Sequence, residues 1–113
     1  MMRRLSLSNN PEDQKLATLA SSTMLRSNSK SAAALRDNTG RTYVAIPVKS
    51  GEFEVDSLLA VLVVAKASQI SGIEAIVIAG DKPSASSIET IRAEDATANI
   101  FVVTEVGALV AID

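Results

Sequence analysis

Neither histidine nor cysteine occurs anywhere in the 113 residues, and this limits the chemistry that remains. Thiolate and imidazole metal sites cannot be built, and these are the ligands zinc favours. A cysteine nucleophile, a histidine general base and a disulfide are excluded as well. Asp, Glu, Lys, Tyr, Ser and Thr are left. Glu52, Glu54 and Asp56 alternate in a way that suggests a cation site. A calcium loop needs more oxygen ligands around a defined turn, whereas acids just ahead of a helix are favourable without any ion. We read them as a solvated helix approach. Ser84 and Ser87 follow Pro83 at helix-start spacing, beside Lys82. A helix start can cradle an anion, but no glycine-rich fingerprint accompanies this one. Capping explains both serines without a ligand. Tyr43 and Phe53 could line a pocket, although plain packing is the simpler reading. Lys30, Arg36 and Arg41 are interleaved with acids in a chain of net charge −2, which does not make a nucleic-acid stripe.

Any such site must be held by a core that is unusual in kind. Hydrophobic residues make up 47% of the chain but aromatic ones only 3%, so Val, Ile, Leu and Ala must build the interior. The length suits one domain, which we place at residues 10–113 behind a flexible stretch at 1–9. A core of this kind leaves so small a domain marginal alone, a first reason to expect oligomers. The longest apolar run, Leu58 to Ala65, falls far short of the roughly 20 residues of a membrane span. Met1-Met2-Arg3-Arg4 is basic, but the residues after it form no apolar h-region, so it does not read as a signal peptide. A cytoplasmic protein with no cofactor, no membrane contact and no nucleic-acid partner is expected.

The elements follow from punctuation and period. Asn10-Pro11-Glu12-Asp13 is a strong helix start, and Leu16, Leu19, Ala20, Thr23 and Met24 recur at helical spacing towards an end near residues 27–29. Ser31–Arg36 and Arg41–Ile46 flank the turn Asp37-Asn38-Thr39-Gly40 and read as a hairpin. Alanines make the first of these strands helical by propensity, but its turn and its β-rich partner argue for strand. Pro47 ends the hairpin and residues 48–54 read as a loop. Val55-Asp56-Ser57 caps a second helix expected to run to Ser71 before Gly72. Its uninterrupted apolar residues predict burial all round, part of it against another subunit. Ile73–Ala79 is a continuous apolar run, as in a central parallel strand. Ser86 and Glu89 have capping-box spacing, so a third helix should start near Ser86 and end near Glu94. Strands at residues 99–104 and 108–112 complete an α/β fold, an α-β-α sandwich whose mixed five-stranded sheet carries helices on both faces.

This order of elements resembles that of the cytidine deaminases, and so do the residues. That family carries a stretch like G-R-x-Y-x-G-x-N-V-E-N, then a metal-binding Cys in C-A-E, then a helix ending like A-L-A-K-A. Gly40-Arg41-Thr42-Tyr43-Val44-Ala45-Ile46-Pro47-Val48-Lys49-Ser50 fits the first stretch without a gap, and Val63-Val64-Ala65-Lys66-Ala67 fits the last. The family's P-C-x-x-C, which opens a helix after a strand, is matched by Pro83-Ser84-Ala85-Ser86-Ser87. The likeness covers roughly Asp13 to Gly107.

The resemblance implies where functional groups would lie. The ribose-holding Asn and Glu correspond to Pro47 and Lys49, the metal-binding Cys to Leu58, and the proton-shuttling Glu to Ala60. The remaining two thiolates correspond to Ser84 and Ser87, and an aromatic at the pocket rim to Phe53. Zinc normally makes the nucleophile of this chemistry by lowering the pKa of a bound water, so these residues imply a pseudoenzyme. Small members of the family are homotetramers with pockets at subunit interfaces, which implies a structural or regulatory homo-oligomer, dimer or tetramer, here. Two alternatives are a nucleoside or nucleotide sensor using the remnant pocket, with Lys49 and Lys82 favouring an anionic ligand, and a residual deaminase-type hydrolase. Apolar Leu58 and Ala60 make a plugged pocket an open expectation.

Overall fold

The first helix, α1 (Pro11–Ser27), starts where the punctuation places it. The computed structural model describes residues 7–112. The Asn10 side chain accepts the Glu12 N–H at 2.8 Å, Pro11 opens the first turn, and Asn28 closes the helix in the left-handed region at φ 54°. The strands preceding and following it are β1 (Leu7–Ser8), β2 (Ser31–Asp37), β3 (Thr42–Ala45), β4 (Val48–Ser50) and β5 (Phe53–Val55). Then come α2 (Ser57–Ala67), β6 (Ile73–Gly80), α3 (Ala85–Glu94), β7 (Asn99–Val103) and β8 (Leu109–Ala111).

Six strands form one mixed sheet in the order β1-β8-β7-β6-β2-β3. Only β6 and β7 run parallel; β2 is antiparallel to both of its neighbours. Helix α1 covers one face, while α2 and α3 cover the other. Alternation along the strands sorts residues by size. Leu35, Ile76 and Ile78 point to the α2–α3 layer, while Ala34, Ala75, Val77 and Ala79 face α1. Small residues let α1 sit close to the sheet, and its own contacts are Leu16, Ala17 and Ala20. Every residue of β2 is buried, which explains how Ala32-Ala33-Ala34 become strand against their helix propensity.

Several expectations need correction. The sheet has six strands rather than five, because Leu7 and Ser8 pair with Val110 and Leu109. Those two residues were expected to fray, but are held by polar contacts as well. The Ser8 hydroxyl donates to Asp13 at 2.6 Å, and Gln14 Nε2 donates to the Ser8 carbonyl. The rest of the expected flexible stretch, residues 1–6, lies outside the described residues. Residues 48–54 are not a plain loop but the hairpin β4–β5, which turns at Gly51, φ +59°. Helix α2 stops at Ala67, not Ser71: Ser68 caps it, and Gln69 at φ 60° turns the chain away. Helix α3 begins at Ala85, next to the expected start, but its cap is Ser84 rather than Ser86. Nor is α2 buried all round, since Val63 and Val64 are exposed. Among the described residues, no helix is long and apolar enough to cross a membrane.

Candidate functional site

The starts of α2 and α3 meet beside an open cleft of about 430 Å³. One wall is the β4–β5 hairpin and its approach, with Pro47, Val48, Lys49, Glu54 and Val55. The other is the loop Asp81-Lys82-Pro83, and Lys30, Ser31, Asp56 and Ser57 complete the lining. Lys49 is spent in part on Glu54 across the hairpin, at 3.5 Å between exposed groups. Ser31 and Ser57 are buried, and the Ser31 hydroxyl donates to that of Ser57 at 3.0 Å.

Asp56 links the two helices. Its Oδ1 accepts the Leu59 N–H at 2.9 Å, which caps α2, and its Oδ2 accepts the Ser84 N–H at 3.0 Å. Desolvation pushes this carboxyl up, but the N–H groups of Leu59 and Ser84, with the hydroxyls of Ser87 and Ser84, hold it below the ordinary carboxylate value. Ser84 in turn caps α3: its hydroxyl oxygen accepts the Ser87 N–H at 3.1 Å, and the two hydroxyls lie 2.9 Å apart.

The structure brings most of the singled-out positions to this region. Pro47 and Lys49 line the cleft. Ser84, the exposed cap of α3, and Ser87, buried in its first turn, follow the lining residue Pro83 but are not themselves part of the lining. Leu58 is fully buried and packs into the core with Leu35 and Ile76, and Ala60 is also buried. Neither Leu58 nor Ala60 belongs to the lining. Phe53 lies on β5 next to the lining residue Glu54, but is itself 61% exposed and outside the lining. Tyr43 sits elsewhere, donating its hydroxyl to Asp37 at 3.3 Å. The part played by Asp56 beyond its own helix was not visible in the sequence. Its only signal there was a cap residue before α2, because the second partner lies 28 residues on.

The residues present do not fit a zinc ion. Leu58 offers hydrocarbon, and the hydroxyls of Ser84 and Ser87 are neutral and already bonded to one another. The carboxylate bonded to both helix starts, Asp56, has both oxygens committed to backbone N–H groups.

Comparison with other proteins places this arrangement. A search of curated proteins finds no match. Fifteen chains of solved structures do match. One is the crystal structure of cytidine deaminase from Mycobacterium leprae, with a TM-score of 0.68 at 13% identity. The alignment covers 89% of this chain and 94% of that one, and at this identity it speaks for the fold. The family model described as "Cytidine deaminase-like" matches residues 9–107, which takes in α1 through β7 and both walls of the cleft, and the chain belongs to that family.

Proposed function

We propose that this protein is a catalytically inactive member of the cytidine deaminase-like family, acting in the cytoplasm as a structural or regulatory homo-oligomer. The observation that carries the reading is the side-chain chemistry at six positions. By the family resemblance, Leu58, Ala60, Ser84 and Ser87 correspond to the residues for metal and proton transfer, and Pro47 with Lys49 to those that hold a ribose. Loss of the metal alone could leave a silent nucleoside binder. Loss of the ribose clamp as well favours a scaffold. Burial of Leu58 and Ala60 supports this, since water and metal have no place in a packed core.

The test is incubation of purified protein with cytidine and added zinc, together with metal analysis. No turnover above buffer and substoichiometric zinc are expected. Reproducible deamination by the metal-loaded protein would overturn the reading in favour of a residual hydrolase.

The open cleft favours one second reading, a sensor for a nucleoside or nucleotide. Lys30 and Lys82 line it without an ion-pair partner among the described residues. Titration calorimetry with nucleosides and nucleotides decides: saturable heat supports the sensor, and none with any of them removes it.

A further inference from the structure

The loop Asp81-Lys82-Pro83 is anchored at both ends, and by different means. At its start, the Asp81 N–H donates to the Lys30 carbonyl at 3.0 Å. Gly80 makes that approach possible: its φ is +86°, and a Cβ there would collide with the same carbonyl and with Ser31. At its end the only side-chain anchor on the Ser84 N–H is Oδ2 of Asp56. Asp56 itself joins β5 to α2, directly after Glu54 and Val55 of the opposite wall.

We propose that Asp56 is a latch across the cleft: its carboxylate holds the hairpin side to the α3 side, sets the opening between them, and fixes Lys82 in the wall. Charge-assisted hydrogen bonds are stronger than neutral ones, which suits a carboxylate to this task. The Asp56–Ser84 bond is exposed, so water competes for it and the latch can release without unfolding the core. The proposal shares with the reading above only the premise that no metal joins the two helices.

The test separates the latch from the helix cap. Asp56→Ser keeps a side-chain oxygen suited to capping α2 but is too short to reach Ser84. Asp56→Asn keeps the length, but offers one acceptor oxygen where two are used. Amide hydrogen exchange is followed by NMR on the full chain, with and without a chelator. Asp56→Ser should speed exchange at the Ser84 amide by roughly tenfold, the loss of one net hydrogen bond, and Asp56→Asn should speed it at Ser84 or at Leu59, whichever loses the single oxygen, with Val77 in β6 unchanged in both. In Asp56→Ser the Leu59 amide should stay protected. Unchanged Ser84 exchange in both variants overturns the latch, and so does equal acceleration at Val77, which signals global unfolding. A chelator that shifts the wild-type spectrum overturns the metal-free reading alone, and the variants still decide the latch.

Discussion

Three aspartates organise turns and helix ends by accepting hydrogen bonds from nearby N–H and O–H groups. Asp37 organises the β2–β3 turn. Desolvation pushes its carboxyl up, but donors from Thr39, Arg41 and Tyr43 prevail and hold it below its ordinary value. Asp95 is lowered first by the Thr97 hydroxyl and then by the N–H groups of Ile73 and Thr97. Asp56 is lowered by its two helix-start partners, as described above. A carboxyl whose folded pKa is depressed contributes stability above its unfolded value and loses it as pH falls through the folded value. No side chain in the chain has an ordinary pKa near neutrality, because histidine is absent. Thermal melts should therefore give a flat melting temperature from about pH 8 down to about pH 5, then a fall below about pH 4. A step near pH 6 to 7 would contradict this assignment of the titrating groups.

Polar contacts join elements that the sequence marks only by apolar pattern. Between α1 and the sheet lies a buried ion pair: Arg36 of β2 reaches Asp13 of α1 at 2.8 Å, and both side chains are under one-tenth exposed. Glu74 of β6 takes a second contact at 2.8 Å, and the Ser8 hydroxyl adds a bond to Asp13, so β1, α1, β2 and β6 meet at one guanidinium. The Arg36 Nη1 has no hydrogen-bond partner among the described residues, which leaves the group dependent on its two acids. Removing Asp13 leaves the buried Arg36 with only the half-exposed Glu74 as its partner. Asp13→Ala should cost about 3 kcal/mol in urea unfolding. The double variant Asp13→Ala, Arg36→Met should recover much of that loss, since the one charge it leaves behind is Glu74, whose side chain is half-exposed. A single-variant loss under about 0.5 kcal/mol would show the pair to be solvated like a surface bridge.

For the whole molecule, the question is what covers the outer face of α2. Val63 is 59% and Val64 42% exposed on a helix whose one charged residue is Lys66, and Lys66 is paired with Glu94. The hairpin β4–β5 adds Val48 and Phe53, also exposed, on a two-stranded unit of a kind rarely stable by itself. These surfaces are the structural support for the homo-oligomer proposed above. Size-exclusion chromatography with light scattering should return a dimer or tetramer, and Val63→Glu should shift it to monomer. A wild-type monomer at micromolar concentration would sink the oligomer and leave the inactive-enzyme reading standing.

Much of this fold was legible without coordinates, for local reasons. Asn10-Pro11, Asp37–Gly40, Asp56-Ser57 and Ser84 punctuate the chain with caps and turns whose chemistry acts over a few residues. The order of the three helices and of the strands β2, β3, β6, β7 and β8 followed from them, with the α-β-α layering, while composition alone excluded thiolate and imidazole. Tertiary structure decided what depends on distant partners. Leu7-Ser8 became a strand because β8 offers its edge, and Ala32–Ala34 stayed strand because burial on both faces outweighs propensity. Val48–Val55 became a hairpin because Gly51 turns it. At the site, the sequence could state that Leu58, Ser84 and Ser87 are no zinc ligands, since donor chemistry belongs to the residue itself. It could not state that Leu58 is packed in the core while Pro47 and Lys49 border open space. Nor could it show that Asp56 grips Ser84, because the geometry of a hydrogen bond between residues far apart in the chain exists only once the helices are brought together.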